Sequence, residues 1–232
     1  MRSVVLLFAL PISCAPIAIH PSSTLVSAEV RGPTATPNPD LTRSTSDTQE
    51  IADLISETMR VIHLPAFERN LRAVSSDFGP IAQSPFGQRL PSSVIADLYA
   101  GRDPAYSFYP ARVTWTEGEG ASSTGGDGII RLSKLVHDNW RAGSTMRRSL
   151  AINSLAHELS HTLSSRRDML SMVFVDRGFS FGWLRGRPPI ASYTIGSVAQ
   201  CTFLEEHGQM AEGLSACLRR YGVWHFTPPQ FD

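Results

Sequence analysis

Apolar residues along this chain recur mainly at helical spacing, with a few short runs of strand character between them. Ile51, Leu54, Ile55, Met59 and Ile62 lie three or four apart, behind a capping-box start at Ser46 and Gln49, and Pro65 stops the run. A second short helix is expected over Phe67–Val74. A third is expected to be capped by Ser92 or Ser93, to carry Val94 and Leu98, and to close at Gly101. Ala111–Trp115 and Gly128–Leu132 read as strands, and the glycine-rich stretch from Thr116 to Asp127 as a mobile connection. Its acids, Glu117, Glu119 and Asp127, match no calcium-loop spacing and read as solvated. The clearest helix spans Arg147–Leu163, where Leu155, Leu159 and Leu163, with Ile152 and Ala156 beside them, form one buried stripe. After an Arg-, Gly- and Pro-containing region from Ser164 to Ser192, two more helices are predicted, Ile195–His207 and Gln209–Tyr221. Gly208 and Gly222 are their stops.

The first residues change the picture. Met1-Arg2 precede an uninterrupted apolar run, Val4–Leu10, and prolines break the chain before it is long enough to span a bilayer. Val26-Ser27-Ala28 offers small residues for cleavage before Glu29, so 1–28 is expected to be a signal peptide and the protein secreted or periplasmic. Cys14 lies in Leu10-Pro11-Ile12-Ser13-Cys14, where proline replaces the leucine of a lipoprotein box, which argues against lipidation. Residues 29–46 hold three prolines and six Ser/Thr and are expected to form a disordered linker. Residues 47–232 are left as one domain.

The charges balance, 21 basic against 21 acidic, which excludes a polybasic surface for nucleic acid or anionic membrane. Lys134 is the single lysine. Beyond Cys14 stand Cys201 and Cys217, an even pair suited to an oxidising compartment. On one straight helix they would be about 24 Å apart. A disulfide therefore needs the helix to break, and Gly208 is the break point; two unpaired buried cysteines are the alternative.

The chemistry lies inside the clearest helix, at His157-Glu158-Leu159-Ser160-His161. Residues four apart share a helix face, so both imidazoles reach one cation with Glu158 beside it. Neutral imidazoles suit zinc in a tetrahedral site, where a third protein ligand would leave the fourth position to water. Zinc lowers the pKa of that water toward 7, and Glu158 is placed to take its proton as general base. Random placement gives this H-E-x-x-H pattern in roughly 1% of chains of this composition, so it outweighs any single histidine as a signal.

With Gly128–Leu132 and above all Ser154–Thr162, the chain resembles the zincin superfamily of zinc peptidases, which set an edge strand before the active-site helix to pair with substrate backbone. The resemblance implies an α+β, zincin-like fold, a small sheet packed on the active-site helix followed by a helical C-terminal part. The metzincin extension asks for Gly at 164 and His or Asp at 167; Ser164 and Arg167 stand there, with Asp168 one place out of phase. A gluzincin-like glutamate from a later helix is the other choice, and Glu205, Glu206 and Glu212 are the glutamates after the motif. Phe203-Leu204-Glu205-Glu206 is similar to the paired glutamates of clostridial-neurotoxin-type zinc proteases, which implies Glu205 as ligand and Glu206 as support for a motif histidine. Glu212-Gly213-Leu214-Ser215 is similar to the gluzincin Glu-x-x-[Ser/Ala] fragment, although Ala216 replaces the Asp that often follows. Gly208, Ser215 and Ala216 leave room around Glu212, but it points away from the face made by Met210, Leu214, Cys217, Leu218 and Tyr221. Glu205 leads, and Glu212, Glu206 and Asp176 stay open. For the oxyanion the candidates are Tyr193, His207, Arg219, Arg220, Tyr221 and His225.

These features add up to a zinc metalloendopeptidase with a protein or peptide substrate, no nucleic-acid partner and no membrane span. A toxin-like protease delivered into a host cell is the rival within enzymes, favoured by the paired glutamates and the scarcity of lysine. A catalytically inactive zincin-like binding module is the rival outside them. The intact His157, Glu158 and His161 speak against it.

Overall fold

The computed structural model describes residues 27–30, 46–78, 81–82, 89–108, 111–117, 122–124, 128–165, 168–174, 190–210 and 212–221. In chain order the elements are β1 (Ser27–Val30), α1 (Ser46–Ile62), α2 (Pro65–Phe78), β2 (Ile81–Ala82), β3 (Arg89–Leu90) and α3 (Ser92–Tyr99). Next come β4 (Tyr106–Phe108), β5 (Ala111–Trp115), β6 (Ser123–Thr124), β7 (Ile129–Leu132), α4 (Lys134–Arg141) and α5 (Thr145–Ser160). β8 (Leu163–Ser165), β9 (Asp168–Met172), α6 (Ala191–Glu206) and α7 (Gly213–Tyr221) complete them. At this level the chain is a mixture of helices and small sheets, as an α+β reading requires. No helix among the described residues is long and apolar enough to cross a membrane.

The helical periodicity of 51–62 is buried as expected: Ile51, Leu54, Ile55, Met59 and Ile62 all lie in the core. Pro65 does more than stop α1. It opens α2, where its missing N–H costs nothing in the first turn. Ser92 lies inside α3 behind Pro91 and does not cap it; its hydroxyl donates to the Arg72 carbonyl at 2.7 Å and accepts from the Ser75 N–H, tying α3 to α2. Val94 is the exposed side of α3, 39% accessible, and Ile95 takes the core position beside Leu98.

The sheet nearest the motif helix has the order β1-β5-β7-β6. β5 and β7 run parallel, and β1 and β6 flank them antiparallel. The expected edge strand, Gly128–Leu132, is therefore interior: β7 is paired on both sides. Among the described residues the edge on that side is β6, formed by two residues of the connection expected to be mobile, and β1 is the edge on the other. Two further sheets are small, β2-β3 and β4-β8-β9. The cleavage point expected between Ala28 and Glu29 falls within β1, whose residues pair with Ala111–Thr114 of β5. Residues 1–26, including Cys14, and 31–45 of the linker lie outside the described residues, as do Glu119, Asp127, Asp176 and His225.

α4 was not legible from its apolar pattern. Only Val136 and Trp140 mark its buried side, with Asn139 beside them. α5 starts when the Ser144 side chain accepts from the Arg147 N–H at 3.3 Å, and it ends with His161 at the C-cap. Leu163 is fully buried, yet it opens β8 instead of ending the helix. α6 is buried almost all round, from Ala191 to Leu204, because no charged residue occurs before Glu205 and its small residues admit close neighbours. Gly208, at a φ of +68°, turns the chain after α6. α7 then folds back so that Cys201 and Cys217 form a disulfide with Cα atoms 5.9 Å apart. The break at Gly208 allows what a single helix could not.

Candidate metal centre

α5 packs antiparallel on α6, and the contact is close because Gly196 has no Cβ. A Cβ built there would lie 2.5 Å from Asn153 Oδ1, 2.7 Å from the Asn153 carbonyl oxygen and 3.1 Å from His157 Cβ. One turn further along α6 the Asn153 amide donates to Gln200 Oε1 at 2.7 Å, and the Gln200 amide donates to Ser149 Oγ at 3.2 Å. The last turn of α5 is thus held firmly. It carries the motif.

His157 Nε2 and His161 Nε2 face each other at 3.3 Å. Two nitrogens bound to one tetrahedral zinc at the usual bond lengths would be about 3.3–3.4 Å apart, so the pair already has the spacing of two ligands. The His161 Nδ1–H donates to the Phe174 carbonyl at 2.8 Å. That assignment leaves the Nε2 lone pair turned toward His157, the tautomer a metal requires. Glu158 is 4% exposed; its Oε1 lies 3.9 Å from His157 Nε2, and its Oε2 accepts from the Thr124 hydroxyl at 2.7 Å. Ligand atoms of His157, Glu158 and His161 fall within 4.8 Å of one another, the only such group of three or more among the described residues. Side chains of these types, so placed, could hold a metal ion.

None of the glutamate candidates joins this group. Glu205 and Glu206 end α6, nine and ten residues beyond Gly196, which is about 14–15 Å along the helix from the contact with His157. Arg69 donates to Glu205 Oε1 and the Asn70 amide to Glu205 Oε2, both at 2.8 Å. Arg60 grips both oxygens of Glu206 at 2.5 Å and holds its carboxyl below the usual range. Glu212 is exposed and precedes α7. The paired glutamates fasten α6 to α1 and α2 through these ion pairs and hydrogen bonds, and the structure does not bring them to the histidine pair.

Of the oxyanion candidates, only Tyr193 stands against the motif among the described residues, its ring crossing that of His157 edge-on at 4.5 Å between centroids. His207 lies against Phe203 at the far end of α6, beside a cleft of about 380 Å³ that Asp53, Trp140 and Arg148 also line. Arg219 and Arg220 are exposed on the last turn of α7. The side chain of Tyr221 lies outside the described residues. Sequence reasoning missed Thr124 and Phe174. Neither carries a local signal, since one sits in a glycine-rich connection and the other contributes a backbone oxygen. No family model matches this chain, nor does any curated protein or solved structure compared with it.

Proposed function

We propose that the chain is a zinc-dependent peptidase of the zincin kind. The observation that carries this reading is the pair of Nε2 atoms 3.3 Å apart with the Glu158 carboxylate beside them. Zinc bound there supplies Lewis-acid polarisation of a carbonyl and lowers the pKa of water toward 7. His157 and His161 hold the ion, and the Phe174 carbonyl keeps the His161 ring turned toward it. Glu158, through Oε1, accepts the proton of the attacking water and later delivers it to the departing amine. The outer edge of β6 offers backbone groups to an extended peptide. An exported protein is the reading that suits the Val4–Leu10 run and the Cys201–Cys217 disulfide together.

The test is metal content and casein hydrolysis across a set of variants. His157→Ala is expected to lose zinc and activity together. Glu158→Gln is expected to keep zinc and lose turnover by about 100-fold or more. Glu205→Ala, Glu206→Ala and Glu212→Ala are expected to keep the metal, which would move the third ligand to Asp176. A Glu158→Gln protein with near-parental proteolysis would sink the mechanism.

A further inference from the structure

The Thr124 hydroxyl is shared between Glu158 Oε2, at 2.7 Å, and the Glu158 carbonyl, at 3.0 Å. It has one proton to donate, and the shorter contact, to a carboxylate oxygen, is the stronger. Thr124 belongs to β6, the edge of the sheet, and pairs with Ile130, which is fully buried. Directly opposed residues of an antiparallel pair project to the same face. Thr124 is thereby presented on the same side as the core residue Ile130, at a position where an apolar β-branched residue would satisfy packing equally well. A valine would fill the space and leave Glu158 Oε2 without this donor.

We propose that Thr124 is a positioning residue for Glu158, so that the edge strand fixes the group that acts on the bond cleaved. The geometry divides the carboxylate's two oxygens between tasks. Oε2 is tied to β6, and Oε1 is left facing the histidine pair at 3.9 Å from His157 Nε2. A glutamate has three side-chain torsions, and the helical backbone of α5 excludes some of their rotamers but does not by itself fix one. The bond to Thr124 does. Because β6 also ends the sheet on this side among the described residues, a peptide adding there would meet the base in a fixed register relative to its own backbone. The proposal rests on the peptidase reading for its catalytic meaning, whereas the bond itself is testable without metal.

Two measurements on the full chain separate the two. In zinc-loaded protein acting on fluorescein-labelled casein, Thr124→Val is expected to lower kcat about 10–100-fold with zinc content and KM unchanged. Thr124→Ser, which keeps the hydroxyl, is expected to restore kcat to within about threefold. In metal-free protein, hydrogen exchange of the 122–132 segment is expected to speed up about fivefold or more in Thr124→Val. Glu158→Ala should produce part of that acceleration, and the double variant no more than Thr124→Val alone. Parental kcat in Thr124→Val, or a serine variant as poor as the valine one, overturns the positioning role. Fully additive exchange effects overturn the bond. Zinc-loaded parent protein that never cleaves casein removes the peptidase reading and the catalytic role of Thr124 with it, even if the exchange coupling is found.

Discussion

Gly196 is where a single methyl group would tell most about how the motif helix is held. In Gly196→Ala the new Cβ meets the Asn153 carbonyl oxygen at 2.7 Å, and ordinary contact begins near 3.4 Å. Closing that gap requires α6 and α5 to part by about 0.7 Å, because the oxygen belongs to a helix backbone and cannot rotate aside. Asn153 Oδ1, at 2.5 Å, is a side-chain atom and could swing away, but only by disturbing the 2.7 Å bond from its amide to Gln200. Overpacking of this kind costs about 1–3 kcal/mol, and the disturbed hydrogen bond about 1 kcal/mol more. A domain of this size loses roughly 2–4 °C of Tm per kcal/mol, so a drop of about 4–16 °C is expected by calorimetry on metal-free protein. Gly208→Ala is the contrast: its Cβ meets nothing within 4 Å, and only the positive φ of +68° is strained. A Gly196→Ala protein melting within about 1 °C of the parent would refute the close approach of α5 and α6 at His157.

Replacing both Cys201 and Cys217 by serine opens a loop with a sequence separation of 16 and should cost about 3 kcal/mol, read as a Tm lowered by about 6–12 °C that reductant reproduces in the parent; an unchanged Tm would show the bridge idle. Glu68 is held by Arg102 first and by Arg72 next, which brings its carboxyl from the ordinary 4.5 down to about 2. Its folded pKa lies below the unfolded one, so its stabilisation is present above about pH 4.5 and lost as the pH falls toward 2. Urea midpoints at pH 5 and pH 2.5 should therefore differ less in Glu68→Gln than in the parent, and an equal difference would remove Glu68 from the acid response.

The features legible in the residue order lie within a turn or two of helix, or within one strand. The stripe of Ile51 to Ile62, the segment Ala111–Trp115 and the i, i+4 pairing of His157 with His161 follow from the periods of 3.6 and 2 that backbone geometry imposes. Two imidazoles four apart share one helix face wherever that helix is placed, which is why the histidine pair was legible at once. Leu163 marks the limit of the same reasoning: a buried leucine at i+8 fits a helix stripe, and equally the first residue of the strand β8. Contacts between residues far apart in the chain follow from how the elements pack. Glu205 and Glu206 have the composition of ligands, but Arg69, Asn70 and Arg60, some 135–146 positions away, engage them in ion pairs and hydrogen bonds. Thr124 reaches Glu158 across 34 residues, and β6 takes the sheet edge from β7 because the connection folds back on it. Such pairings depend on which elements pack together, and packing responds to the shape and burial of whole faces. A spacing rule reads only a few residues at a time, so it finds the histidines and not their company.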